Sequence, residues 1–192
     1  RNALPEAQRR GAEIDLSATE ALFRLLDPLA AEWQFKGKAR ERAGSRATYT
    51  APSNVFQTED GHWITVVGTG NPIFERLCKA MDRPDLLSDP RFANNVLRTQ
   101  NLIALDDILA AWCHSWPLRV IQEKFDAVEM PYSQVNSIAD AATDPHFQHR
   151  QAIIHLPDRD LGTVPAPCIV PRFVGREREV PSTGPATGEH NE

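Results

Sequence analysis

The chain has 192 residues, 41% of them hydrophobic, which is enough material for one or two globular domains. Its 21 basic and 26 acidic side chains leave a net charge of −5, so the basic excess of a nucleic-acid binder is absent. No stretch approaches the roughly 18 consecutive apolar residues that a membrane span needs. Arg1-Asn2-Ala3-Leu4-Pro5 lacks the charged-then-apolar pattern of an export signal, and a start at Arg rather than Met does not imply a native terminus. Cys78, Cys113 and Cys168 are far apart and odd in number, so they suggest neither a disulfide framework nor a metal-ligand spacing. They read as buried, inert thiols, with a reducing cytoplasm as the simplest setting and no metal site.

Ser17 to Phe35 reads as a helix. Ser17 and Glu20 have capping-box spacing, Leu22, Leu25, Leu26 and Leu29 recur at helical intervals, and Pro28 should kink it. Ile14-Asp15-Leu16 before it suits the end of a strand. Residues 37–52 are polar and basic, with Lys38, Arg40, Arg42 and Arg46 following Lys36, and read as a linker. Two strand-like runs follow, Ser53 to Thr58 and Trp63 to Val67, around a turn at Glu59-Asp60-Gly61-His62. Gly68-Thr69-Gly70-Asn71 then leads into a helix from Pro72 to Met81, with Asn71 as N-cap and Phe74, Leu77, Cys78 and Met81 as its apolar face. Further helices are expected over Arg98 to Trp112, with Leu102, Leu105, Ile108, Leu109 and Trp112 inward, and over Leu118 to Val128. Tyr132 to Asn136 reads as a short strand or an extended link. Ile138 to Ala142 and Pro145 to Arg150 read as short helices, the second capped by Asp144. Two strands flank Asp158 to Gly162, and residues 181–192 are too polar and Pro-rich to bury much, which suggests an extended tail.

The segment with the strongest chemical potential is Gly68 to Asn71. A glycine-bearing loop between a strand and a helix start can bring bare backbone N–H groups to a ligand, although the same residues also suit a plain tight turn. His62 and Trp63 read as hairpin surface. Asp15 with Glu20, and Asp106 with Asp107, are the adjacent acids; Glu20 is better explained by helix capping and the Asp106-Asp107 pair by a solvated helix face. His114, His146, His149, His155 and His190 show no nucleophile or metal pattern. Arg172 and the basic run Lys36 to Arg46 could meet a phosphate or a partner chain, but a basic run is usually solvated.

Several phrases in order resemble the family III CoA-transferases, a group that includes formyl-CoA and carnitine CoA-transferases and the alpha-methylacyl-CoA racemases. They are Ile14-Asp15-Leu16-Ser17 before an apolar helix; Ala51-Pro52-Ser53-Asn54-Val55-Phe56 with Thr58, Asp60-Gly61 and Trp63; Gly70-Asn71 before a helix; Arg83-Pro84-Asp85-Leu86; and Asp89-Pro90-Arg91-Phe92-Ala93-Asn94-Asn95. Arg98-Thr99-Gln100-Asn101, Met130-Pro131, Asp144-Pro145-His146-Phe147 with Arg150, and Gly188-Glu189-His190-Asn191 complete the set. The resemblance covers nearly the whole chain.

It implies an α/β fold: a small α/β domain plus parts of a Rossmann-like large domain, in a chain whose two copies interlock as a dimer. Residues 1–36 would belong to the large domain, 37–52 to a linker, 53–136 to the small domain, 137–180 to a return segment and 181–192 to a tail. Family members are about twice this length, and their catalytic aspartate lies upstream of the phrase seen here at Ile14 to Ser17. The chain is therefore expected to be a C-terminal half or a subunit, with no catalytic residue of its own, completed by a second copy or by a catalytic partner chain.

The implied chemistry is CoA transfer from an acyl-CoA thioester to a carboxylic acid, with coenzyme A as substrate and no permanently bound cofactor. In it Gly68, Thr69, Gly70 and Asn71 form a lid over intermediates that water would destroy. Thr69 interrupts the glycine run found in the formyl-CoA transferase branch, and Asn71 stands at a glutamine-like position, which bears on loop mobility and substrate preference. Acyl-CoA racemisation and a non-catalytic accessory role are the alternatives, and the bases of the racemase branch would also lie upstream. An isolated half should leave an apolar face unburied.

Overall fold

The structure, a computed structural model, describes residues 5, 11, 13–26, 28–175, 181–189 and 191. The expectations placed on Arg1 to Leu4 and on His190 lie outside these residues. The chain mixes helices with small antiparallel sheets, and no helix among the described residues is long and apolar enough to cross a membrane. It divides into two compact units, Arg1–Tyr49 and Thr50–Glu192.

In the first unit the expected single helix is two, α1 (Ala18–Arg24) and α2 (Leu29–Lys36). Pro28 does more than kink the helix. Lacking an N–H, it stands at the N-cap of α2 and separates the two. Ser17 caps α1 by accepting from Glu20 N at 3.4 Å, and Gly37 closes α2 in a left-handed conformation at φ 63°. Ile14 to Leu16 is irregular, not a strand. Neither helix buries a residue, and Leu22, Phe23, Leu25 and Trp33 are all more than 60% exposed. The apolar face marked by the sequence periodicity stays exposed among the described residues of this unit. The basic run is less solvated than expected: Arg40 donates to Glu32 at 2.6 Å and lies over the Tyr49 ring.

The second unit holds the core. β1 (Ser53–Gln57) and β2 (Trp63–Val67) form the expected hairpin, in the register Val55 opposite Thr65. β3 (Tyr132–Gln134) adds to β2, giving the order β1-β2-β3 with every pair antiparallel. Strand alternation buries Asn54 and Phe56 of β1 and Ile64 and Val66 of β2. The buried face meets helices α3 (Asn71–Ala80), α6 (Leu102–His114) and α7 (Leu118–Asp126), which contribute Phe74, Leu77, Leu105, Leu109, Ile121 and Phe125. Between α3 and α6 come α4 (Asp85–Ser88), a 3₁₀ turn Pro90–Phe92, and α5 (Asn95–Gln100). The helix expected from Arg98 is thus broken at Asn101, whose side-chain amide donates to Leu97 O at 2.9 Å. Ala51 and Pro52, read as the end of a linker, are buried here, and Ala51 N donates to the Asn95 side chain at 3.0 Å.

α8 (Ile138–Thr143) and α9 (Pro145–His149) follow, with Asp144 capping α9 as expected, and β4 (Ile153–Asp158) pairs with β5 (Gly162–Pro167). The tail is exposed but tied down. Thr183 N donates to Pro157 O at 3.2 Å, and the Thr183 hydroxyl donates to Asp158 at 2.6 Å.

Asp60, in the β1–β2 turn, caps a helix remote in sequence. Pro117 leaves α7 without a side-chain cap, and Asp60 instead accepts from Leu118 N at 3.1 and 3.2 Å. The Thr58 hydroxyl first, then Leu118 N–H and His62, hold the Asp60 carboxyl down at about 2. The folded value is below the unfolded one near roughly 4. The stabilisation is therefore full above about pH 4 and is lost as pH falls towards about 2. Asp60→Asn should lower the urea midpoint at pH 7, and its gap to the wild type should narrow from pH 4 to pH 2.5. A gap that stays constant over that interval would remove the carboxylate from this role.

Candidate functional site

The loop Gly68–Asn71 runs from the end of β2 to the start of α3. Gly68 is buried. Its N–H donates to Pro52 O at 2.9 Å, and a Cβ there would meet Pro52 Cγ at 3.0 Å, so the glycine permits a close approach of two backbone segments. Thr69 is half-buried, and Gly70 and Asn71 are exposed. The N-cap of α3 is Gly70, not Asn71 as expected. Gly70 O accepts from Ile73 N at 3.1 Å and Phe74 N at 2.9 Å, and no side chain caps the helix. The N–H groups of Thr69, Gly70 and Asn71 make no hydrogen bond among the described residues. They lie at the positive end of the α3 dipole.

Asn71 does not cap because its side chain is engaged elsewhere. Its Oδ1 accepts from Arg98 Nη2 at 3.1 Å, and the same nitrogen donates to Thr69 O at 3.0 Å. Arg98 Nε donates to Ala51 O at 2.8 Å and Nη1 to Phe92 O at 3.0 Å. The guanidinium stands 4.6 Å from the centre of the Phe74 ring, and the residue is only 1% exposed. Among the described residues its hydrogen bonds all go to neutral carbonyl oxygens. Burial lowers its pKa from the ordinary value, but a guanidinium keeps its charge. A buried cation thus sits directly behind the loop. In the sequence Arg98 stands out only as a helix start and part of a family phrase, with no role of its own; a charged residue on the inner face of an otherwise apolar helical pattern was the available signal.

A cavity of about 110 Å³ opens beside the loop, lined by Asn71, Phe74, Glu75, Leu87, Phe92 and Arg98, together with Ala93. It is smaller than the several hundred Å³ of a typical cofactor pocket. Within the second unit, the other described sequence candidates do not line this cavity. His62 is exposed on the hairpin turn, 3.3 Å from Asp60, and Trp63 is exposed on β2. Asp107 is solvated as expected, but Asp106 is buried under β1 and accepts from Asn54 Nδ2 at 2.9 Å, because that face of α6 turns towards the sheet. Cys78 and Cys113 are buried, and burial pushes both thiols up to about 12, which makes them unfit as nucleophiles. Cys168 is half-buried, against the expectation for it. His114, His146, His149 and His155 are exposed, as is Arg172. The basic run of the first unit, Lys36 to Arg42, borders a groove of about 400 Å³ there, together with Glu32, Glu41 and Tyr49.

Residues 3–191 match the family described as CoA-transferase family III. The chain belongs to this family. Over 98% of its length it is 36% identical to the succinyl-CoA–D-citramalate CoA-transferase of Chloroflexus aurantiacus, of which the match covers 48%. Over 97% of its length it is 32% identical to the beta subunit of the succinyl-CoA–L-malate CoA-transferase of the same organism, covering 47% of it. The fold is shared with a CAIB/BAIF family protein from Brucella suis, at a TM-score of 0.71 and 24% identity, over 90% of this chain and 44% of that one. The chain thus spans about half the length of the curated relatives it matches.

Proposed function

We propose that this family III chain forms part of an enzyme that moves CoA from an acyl-CoA thioester to a carboxylic acid, and that Gly68–Asn71 is the cover of its reaction site. The observation that carries the reading is the loop itself: it has anchored ends, an exposed Gly70 and three uncommitted N–H groups at the start of α3. The catalytic aspartate belongs to the half of the relatives that this chain does not span, supplied by a longer polypeptide or by a partner chain. That carboxylate attacks the thioester carbonyl, the C–S bond breaks, and a mixed anhydride and CoA thiolate form. The thiolate then attacks the enzyme side of the anhydride, frees the donor acid and leaves an enzyme-bound CoA thioester. The acceptor carboxylate repeats the sequence in reverse, and CoA departs on the acceptor. Each intermediate is open to hydrolysis, so a cover that excludes water is required. Loop N–H groups at a helix start suit a carboxylate or a developing oxyanion.

Succinyl-CoA as donor and a small hydroxy dicarboxylic acid as acceptor are the substrates this reading borrows from the relatives' names. It also assigns residues 1–36 to a Rossmann-like large domain in an interlocked dimer. The exposed apolar residues of α1 and α2 support this, since large apolar side chains left exposed together mark a surface that a partner covers. The buried free thiols fit a reducing cytoplasm, where acyl-CoA is available.

The test is incubation of the assembled protein with succinyl-CoA and a panel of carboxylic acids, following the new acyl-CoA. Exchange of alpha-proton label with no acceptor present would replace transfer by racemisation. Turnover that depends wholly on a second polypeptide carrying its own complete site would reduce this chain to an accessory. Gly70→Val probes the cover directly. Gly70 has φ −82° and ψ 149°, which valine adopts readily, and a Cβ there meets only Pro72 Cδ at 3.9 Å. Folding should lose only about 1 kcal/mol, the cost of an apolar residue at the N-cap, while kcat/KM should fall on the order of 10²-fold through misplacement of the loop. Equal loss of stability and turnover would remove the lid role.

A further inference from the structure

We infer that Arg98 and Asn71 form a clamp that sets the closed geometry of the loop, with Arg98 acting as a positioning residue. The inference rests on the reading of Gly68–Asn71 as a cover. Arg98 Nη2 bridges Thr69 O and Asn71 Oδ1, the residues on either side of Gly70. The bridging nitrogen is itself fixed, because Nε and Nη1 are bonded to Ala51 O and Phe92 O and the guanidinium faces the Phe74 ring. On the strand side Gly68 is locked against Pro52; on the helix side Gly70 O is taken by Ile73 N and Phe74 N. Motion is thereby confined to the peptides around Gly70, itself exposed.

The bonds to the clamp are unequal. The bond to Thr69 O is to the main chain and holds whatever the loop's sequence. The bond to Asn71 Oδ1 depends on one exposed side chain, the only side-chain tether between the loop and Arg98 among the described residues. Asn71 is therefore the point at which the clamp can be opened without disturbing the core. The interaction is charge-assisted and directional, so losing it should loosen the cover more than it weakens substrate binding. Thr69, which interrupts the glycine run, restricts the backbone between Gly68 and Gly70, so the run of freely rotating residues is cut to one.

The test uses the assembled enzyme with succinyl-CoA and D-citramalate as probes, comparing CoA transfer with acyl-CoA hydrolysis. Asn71→Ala should raise the ratio of hydrolysis to transfer by roughly tenfold, the loss of one charge-assisted hydrogen bond from the closed state. The KM for succinyl-CoA and the melting temperature should stay near wild type. Asn71→Asp keeps an acceptor oxygen for Arg98 and should return the ratio towards wild type, with a raised KM for the acceptor acid from like-charge repulsion. A wild-type enzyme that transfers CoA, combined with an unchanged ratio in Asn71→Ala or no recovery in Asn71→Asp, overturns the clamp and leaves the cover standing. A wild-type assembly that transfers CoA to no acid removes the cover and the clamp together.

Discussion

Arg98→Ala should cost about 4 kcal/mol of stability or more, seen as a large drop in the urea midpoint. The change strips the donor from four oxygens, those of Ala51, Phe92 and Thr69 and the Asn71 side chain, of which the first two belong to wholly buried residues. Each buried acceptor left unsatisfied costs about 1–3 kcal/mol. The vacated space beside Phe74 adds a cavity term. Arg98→Lys should recover only part of the loss, because one ammonium group cannot reach acceptors arrayed around a planar fork. Arg98→Met separates volume from hydrogen bonding; it should resemble alanine more closely than lysine if the donors dominate. An alanine variant whose midpoint and m-value match the wild type would show that these oxygens find other partners, and Arg98 would lose its structural role.

The same residue marks the limit of what could be read beforehand. The β1–β2 hairpin was legible because strand alternation, an Asp60-Gly61 turn and β-branched residues agree locally, and Gly61 takes the required positive φ of 80°. The inner faces of α3 and α6 were legible from helical spacing, and Phe74, Leu77, Leu105 and Leu109 are indeed buried. Where an exact boundary or role depends on a partner distant in sequence, local reasoning failed. Asn71 looks like an N-cap by composition, but its side chain goes to Arg98, 27 residues away, and the cap passes to Gly70. Asp106 looks like half of a solvated pair, but it is buried and accepts a hydrogen bond from Asn54, 52 residues away. Asp60 looks like turn punctuation and also caps α7. The apolar stripe across Leu22 and Leu25 was read from helical spacing, yet both residues stay exposed among the described residues of their unit. The glycines between a strand and a helix start supplied the candidate loop and the family resemblance its expected role; the three-dimensional arrangement shows what holds it.

Phe125→Ala should destabilise the chain as severely as the loss of Arg98, at about 3–5 kcal/mol for a fully buried aromatic ring. Phe125 is 0% exposed and lies between two other rings, stacked on Trp112 at 5.6 Å and tilted against Tyr132 at 5.5 Å. It thereby joins α7 to α6 and to β3, the strand that pairs with β2. A weaker near-ultraviolet circular dichroism signal should accompany the lower midpoint. The comparison with Arg98 separates stability from geometry. The ring partners of Phe125 are Trp112 and Tyr132, neither of them part of the clamp, so at a temperature well below its melting point Phe125→Ala should keep most of its transfer rate and its low hydrolysis. Arg98→Lys, retaining more stability, should nonetheless lose more transfer because the bridge across Gly70 is broken. If activity instead follows the melting temperature through both variants, the loop is shaped by overall stability alone and the buried guanidinium has no separate part in the reaction.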